Sequence, residues 1–215
     1  DHPNEPYEIL TEIGRVVNRL GLISILPKGH HLFRVRIHDK EEQLNTARDL
    51  GPPPDESAGN NRMSPAGISI FYGSDSLKTA VAETLDPTFA LGKAITSATF
   101  QVVNDLSILD FSNCPPIPSS FDEEWFGSRY WAIFLHRFLA EVTQPIEKDG
   151  RVHIDYVPTQ VVAEYFRYVF EDENGRKIGG IRYPSAREKG GHNCIIFTKH
   201  GEINDADFGV NCPEA

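Results

Sequence analysis

Ile68-Ser69-Ile70-Phe71-Tyr72-Gly73-Ser74-Asp75-Ser76-Leu77-Lys78-Thr79-Ala80-Val81-Ala82-Glu83-Thr84-Leu85 is the stretch that decides the fold class. Residues 68–73 are β-branched and aromatic, the composition of a strand. Leu77, Ala80, Val81 and Leu85 then recur at helical spacing; Ser74 or Asp75 is placed to cap that helix, and Pro87 ends it. Elsewhere strands and helices mix without regular βαβ alternation, which predicts an α+β fold: mixed, mostly antiparallel sheets with flanking helices.

Working outward, Ile9, Leu10, Ile13, Val16, Val17 and Leu20 predict an amphipathic helix over 7–20, with Gly21 as its stop. His31–Ile37 reads as a strand with Phe33, Val35 and Ile37 on one face and Arg34 and Arg36 on the other. Residues 38–62 are polar around Gly51-Pro52-Pro53-Pro54 and read as one long loop, a candidate lid over a cleft. Residues 98–103 and 106–111 are strand-like, with Asn104-Asp105 as a tight turn between them. A Pro-rich loop at 114–118 precedes a helical stretch at 121–143, a second helix covers 155–171, and 178–183 and 193–198 read as strands around a Gly-rich loop.

Composition narrows the class. The chain has 215 residues, is 40% hydrophobic and carries a formal net charge of −10, so it has the apolar content for a sizeable core. Acids outnumber bases 31 to 21 and no Lys/Arg run exceeds two residues, which argues against nucleic acid as a partner. No stretch approaches the roughly 20 apolar residues of a membrane span, and Asp1-His2-Pro3-Asn4-Glu5-Pro6 does not read as a signal peptide. Cys114, Cys194 and Cys212 are an odd, widely spaced set without CxxC, so a reducing, cytoplasmic setting is expected, and no metal site. The chain opens on Asp1, and Met63 is its sole methionine. The expected organisation is an N-terminal helical segment over 1–29, joined to an upstream domain, and a catalytic domain over 30–215.

Phosphate-loop, GxGxxG and GxSxG motifs are all absent. The remaining candidates lie at the edges of predicted elements. Arg34 and Arg36 form either a solvated strand face or an anion site, because a guanidinium fork matches carboxylate or phosphate. Arg62 precedes a Pro-Ala-Gly turn. Tyr72 closes a strand, as core or as a stacking platform. Glu83 falls beside the apolar stripe of its helix, facing either solvent or a cleft. In a cleft its carboxylate would stabilise an oxocarbenium-like centre. Ser185 lacks a nucleophile-elbow context; with nearby loop N–H groups it suits a phosphate or ribose.

Leu32-Phe33-Arg34-Val35-Arg36, Arg62-Met63-Ser64-Pro65-Ala66-Gly67, Phe71-Tyr72-Gly73 and Thr79-Ala80-Val81-Ala82-Glu83 follow one another in a set order. Tyr156-Val157-Pro158-Thr159-Gln160, Gly180-Ile181-Arg182-Tyr183-Pro184-Ser185 and Asn193-Cys194-Ile195-Ile196-Phe197 complete it. Together they resemble the RES domain family over about residues 30–198. The resemblance implies a fold similar to ADP-ribosyltransferases and an enzyme that consumes NAD as substrate, cleaving the nicotinamide–ribose bond by hydrolysis or phosphorolysis. Transfer of ADP-ribose to a protein and non-catalytic nucleotide binding are the alternatives. It implies a bacterial toxin or defence effector restrained by an antitoxin or other regulatory protein, with no cofactor or metal and possible homo-oligomerisation. Residue by residue it implies Arg34, Glu83 and Ser185 as catalytic, with Arg36 the alternative for the first arginine. Arg34, Arg62, Tyr72, Ser185 and Asn193 would contact NAD.

Overall fold

The computed structural model describes residues 6–85, 90–112, 114–126, 129–143 and 156–203. Pro87, Asp155 and Cys212, invoked above, lie outside the described residues. The described residues form one seven-stranded sheet and five α-helices, an α+β arrangement. In chain order these are α1 (Pro6–Arg19), β1 (Ile23–Leu26), β2 (His31–His38), α2 (Ala47–Leu50), β3 (Phe71–Ser74) and α3 (Leu77–Thr84). They continue with β4 (Ala94–Gln101), β5 (Leu106–Asp110), α4 (Arg129–Thr143), α5 (Val157–Tyr168), β6 (Gly180–Pro184) and β7 (His192–Ile196). The strands lie in the order β1-β5-β6-β7-β3-β2-β4. Only β5 and β6 run parallel; every other neighbouring pair is antiparallel.

Apolar burial on both sides of the sheet holds this together. Ile13, Val16 and Val17 of α1, Leu135 and Phe138 of α4, and Phe166 of α5 pack on Leu109, Ile181 and Ile195. Full burial of each such side chain contributes about 1.5–3 kcal/mol. Leu26, Leu32, Phe71, Ile108 and Cys194 form a second cluster with Val102. β2 is therefore covered on both faces, and its buried residues are Leu32, Val35 and His38 rather than one clean alternating set.

Several sequence expectations are corrected. Asn104-Asp105 does not close a hairpin: β4 pairs with β2 at one edge of the sheet, whereas β5 lies between β1 and β6. Asp105 instead accepts from the Lys28 backbone N–H at 2.7 Å. β1, only four residues long, was not anticipated, because so short a run shows no period. Residues 38–62 are not one plain loop. Thr46 and Asp49 form a capping box for α2, and Asp55–Ser57 is a 3-10 turn. The segment is tied down: Ser69 Oγ donates to the Pro53 carbonyl at 2.6 Å, and His200 Nδ1 meets the Pro52 carbonyl at 2.8 Å. The cap of α3 is Ser76, whose side chain accepts from Thr79 N. Ser74 and Asp75 are engaged elsewhere, Ser74 with Asn193 and Asp75 with Arg182. Within 121–143 the first turn is a 3-10 segment at Glu123–Trp125, and the α-helix starts at Arg129.

β2 and β3 position the site. They share a single register pair, Phe33 with Ser74, and then part. A cavity of about 320 Å³ opens beside that divergence.

Candidate active site

The cavity is walled by β2 through Phe33, Arg34 and Val35, and by β3 through Tyr72, Gly73 and Ser74. Ala80, Glu83 and Thr84 enter from α3, Tyr183 from β6 and Asn193 from β7, while Pro53, Ala58 and Asn61 bring in the 38–62 segment. Its volume falls at the lower end of the roughly 300–1,000 Å³ typical of small-molecule pockets.

Arg34 sets its electrostatics. Nη1 is buried and has no hydrogen-bond partner among the described residues. The guanidinium lies 5.5 Å from the centre of the Phe71 ring. Burial, with the like charge of Arg36 adding to it, pulls the Arg34 pKa down to about 10. The group therefore stays charged at neutral pH and forms no ion pair among the described residues, an arrangement that favours an anion entering the cavity.

Glu83 is the second charged group. Of the stripe expected on α3 only Ala80 is buried: Leu77 is 44% exposed, Val81 and Leu85 are half-buried, and Thr79 is buried instead. The helix is rotated so that Ala80, Glu83 and Thr84 face the cavity. Three donors converge on one carboxylate oxygen, Glu83 Oε1. They are Ser185 Oγ, the Ala186 backbone N–H at 3.2 Å and Asn193 Nδ2 at 2.8 Å. Oε2 has no protein donor among the described residues.

Ser185 is a link in this arrangement rather than an open ligand. Its hydroxyl donates to Glu83 and accepts from the backbone N–H groups of Arg187 at 3.1 Å and Glu188 at 2.9 Å. That uses its one proton and both lone pairs, and Ser185 does not line the cavity. The Ser185–Gly191 loop lies close on α3: a Cβ at Gly191 would collide with Thr79. The Lys78–Glu188 ion pair, at 2.7 Å, adds a clasp between loop and helix.

Tyr72 lines the cavity, and its hydroxyl lies 3.2 Å from Ser64 Oγ. Burial pushes its pKa up to about 12, so it stays neutral. Tyr183 faces the same space with its hydroxyl raised above the usual range by burial. Sequence reading passed over Tyr183 and Ser74 as site residues. Tyr183 stands on β6 two residues before Ser185, which opens the following loop, so the two are close in sequence.

Two arginines are turned elsewhere. Arg62 is not part of the cavity lining. Its guanidinium donates to the Glu141 carbonyl in the last turn of α4 and stacks 5.6 Å from the Tyr156 ring. Arg36 donates to the Asp49 carbonyl at the end of α2. The Tyr156–Gln160 segment buttresses the turn that carries Arg62. Thr159 Oγ1 donates to the Arg62 carbonyl, and Gln160 Nε2 donates at 2.7 Å to both Asn60 Oδ1 and the Asn61 carbonyl.

Fold and site together define an α+β protein with a cation-bearing, carboxylate-bearing cavity beside a divergence in its sheet. The RES domain matches residues 31–208, the bulk of the chain, and the chain belongs to that family. Its α+β arrangement is consistent with the family's ADP-ribosyltransferase-like fold, and the membership is consistent with NAD-related function. No curated protein matches the chain. Among the described residues no helix is long and apolar enough to cross a membrane.

Proposed function

We propose that this chain consumes NAD by cleaving its nicotinamide–ribose bond. The observation that carries the reading is the pairing, in one cavity, of an anion-seeking Arg34 with a Glu83 whose Oε1 is saturated and whose Oε2 is open. NAD supplies both complements. Its pyrophosphate pairs with Arg34, and its ribose acquires positive character as nicotinamide leaves. Tyr72 and Tyr183 offer ring surfaces for the nicotinamide.

In the reaction the C1′–N bond breaks and its electron pair goes to the ring nitrogen, neutralising the pyridinium. The leaving group is then neutral nicotinamide, so no proton needs to be delivered to it. Glu83 stabilises the oxocarbenium-like ribose electrostatically or holds its 2′-hydroxyl. A water oxygen then bonds to C1′ and releases a proton, giving ADP-ribose. Attack by phosphate gives the 1″-phosphate of ADP-ribose instead, and a protein nucleophile would make the chain a transferase. Ser185 holds Glu83, and Arg62 holds the wall that carries Asn61.

Glu83→Gln keeps the side chain's shape and removes its charge. Nicotinamide release should fall by about 10²–10³-fold, while calorimetry shows NAD binding within a few-fold of the parent. Retained turnover in Glu83→Gln overturns the assignment. A cell that makes such an enzyme unrestrained loses NAD, which supports reading it as a toxin or defence effector controlled by a regulatory protein. Expression in bacteria should lower cellular NAD and arrest growth, and Glu83→Gln should do neither.

A further inference from the structure

We propose that Asn193, fixed by Ser74, is a positioning residue for Glu83, holding the carboxylate so that Oε2 rather than Oε1 meets the reacting ribose. This rests on the NAD-cleaving reading above and assigns that site a component beyond its arginine, glutamate and serine.

The argument starts from the asymmetry of an amide, which accepts at one end and donates at the other. Ser74 Oγ donates to Asn193 Oδ1 at 2.7 Å. A hydroxyl can donate or accept, so it is the carboxylate that decides: Nδ2 donates to Glu83 Oε1 at 2.8 Å, and Oδ1 is left to accept from Ser74. An ionised carboxylate only accepts, so the opposite amide orientation would set oxygen against oxygen. Ser74 is 3% exposed and Asn193 9%, which leaves water little chance to compete.

Rigidity separates this contact from the other two. Ser185 Oγ and Ala186 N reach Glu83 from the start of the Ser185–Gly191 loop, where Ala186 and Arg187 are exposed. Ser74 and Asn193 stand opposite each other in the β3–β7 ladder. Asn193 is also in register with Tyr183 of β6. Three hydrogen-bonded strands thus anchor this donor, and groups carried on sheet are placed more accurately than groups carried on loops. Without Asn193, the loop alone holds Oε1 and the carboxylate is free to swing within the cavity.

The test compares Asn193→Ala and Ser74→Ala with the parent chain for NAD cleavage, scored as nicotinamide release. Asn193→Ala should lower kcat by about 10–100-fold, the scale of a misplaced catalytic group, with KM for NAD within about threefold. Ser74→Ala, which only removes the brace on the amide oxygen, should lose less, and again in kcat. A kcat unchanged in both variants, or a loss confined to KM, overturns the proposal. Should Asn193→Ala fail to fold, Ser74→Ala alone decides. Should the parent release no nicotinamide, the functional reading fails. The positioning claim is then judged by the ¹³C carboxyl resonance of Glu83, assigned with Glu83→Gln: it should move in Asn193→Ala, and a resonance that stays put overturns the proposal.

Discussion

Arg34 carries the sharpest tension in the molecule. Its pKa of about 10 lies below the ordinary 12.5, so the unfolded chain holds that proton more tightly between the two values. Stability therefore rises with pH through that window, and across the neutral range the buried charge opposes folding. Arg34→Met should stabilise the free protein by about 1–3 kcal/mol, read from urea or thermal unfolding, while abolishing NAD binding. A variant that is less stable, or that still binds, contradicts the role. Ser185→Ala strips Glu83 of one donor and leaves two backbone N–H groups unpaired. It should cut turnover by about tenfold or more with a small rise in KM, measured by steady-state kinetics. Arg34 and Glu83 stood out in the sequence through the ordered family motifs that carry them, because strand and helix periods alone left each between solvent and cleft. The role of Ser185 was not legible there, since nothing in Tyr183-Pro184-Ser185 shows that its hydroxyl is already spent. Nor does a sequence show which way a long side chain turns, and so Arg62 read as a second phosphate ligand beside Arg34, and Arg36 as the alternative to Arg34.

At the scale of elements, α3 has eight residues and depends on its cap and on what clasps it. Ser76→Ala removes the acceptor for Thr79 N and should destabilise the protein by about 1 kcal/mol, seen as a lower unfolding midpoint. Gly191→Ala forces the Ser185–Gly191 loop away from Thr79, so it should lower turnover more than NAD affinity. That the cap is Ser76 rather than Ser74 or Asp75 illustrates a limit of local pattern. All three are good caps, and the choice is made by Asn193 and Arg182, more than 100 residues further along. The 38–62 segment shows the same limit. Polar and Pro-rich, it reads as a free lid, yet Leu44, Ala47 and Leu50 are buried and Pro53, Ala58 and Asn61 wall the cavity. Limited proteolysis should leave this segment uncut with or without NAD; cleavage that NAD suppresses would restore the lid.

Across the whole molecule, mixed strands and helices without βαβ alternation were enough to read the α+β class. Strand order was not readable. β4 and β5 are separated by only a few residues and still lie far apart in the sheet, because long-range pairing of β5 with β1 and β6 decides their places. The divergence of β2 and β3, with Arg34 beside it, is likewise a product of topology. A net charge of −10 disfavours polyanions but leaves room for one small dianionic nucleotide at the buried Arg34. The most direct test is to incubate the purified chain with NAD and measure nicotinamide release, with and without inorganic phosphate. Release that is catalytic, and lost in both Arg34→Ala and Glu83→Ala, is the predicted result. NAD that binds but stays intact under both conditions would contradict it.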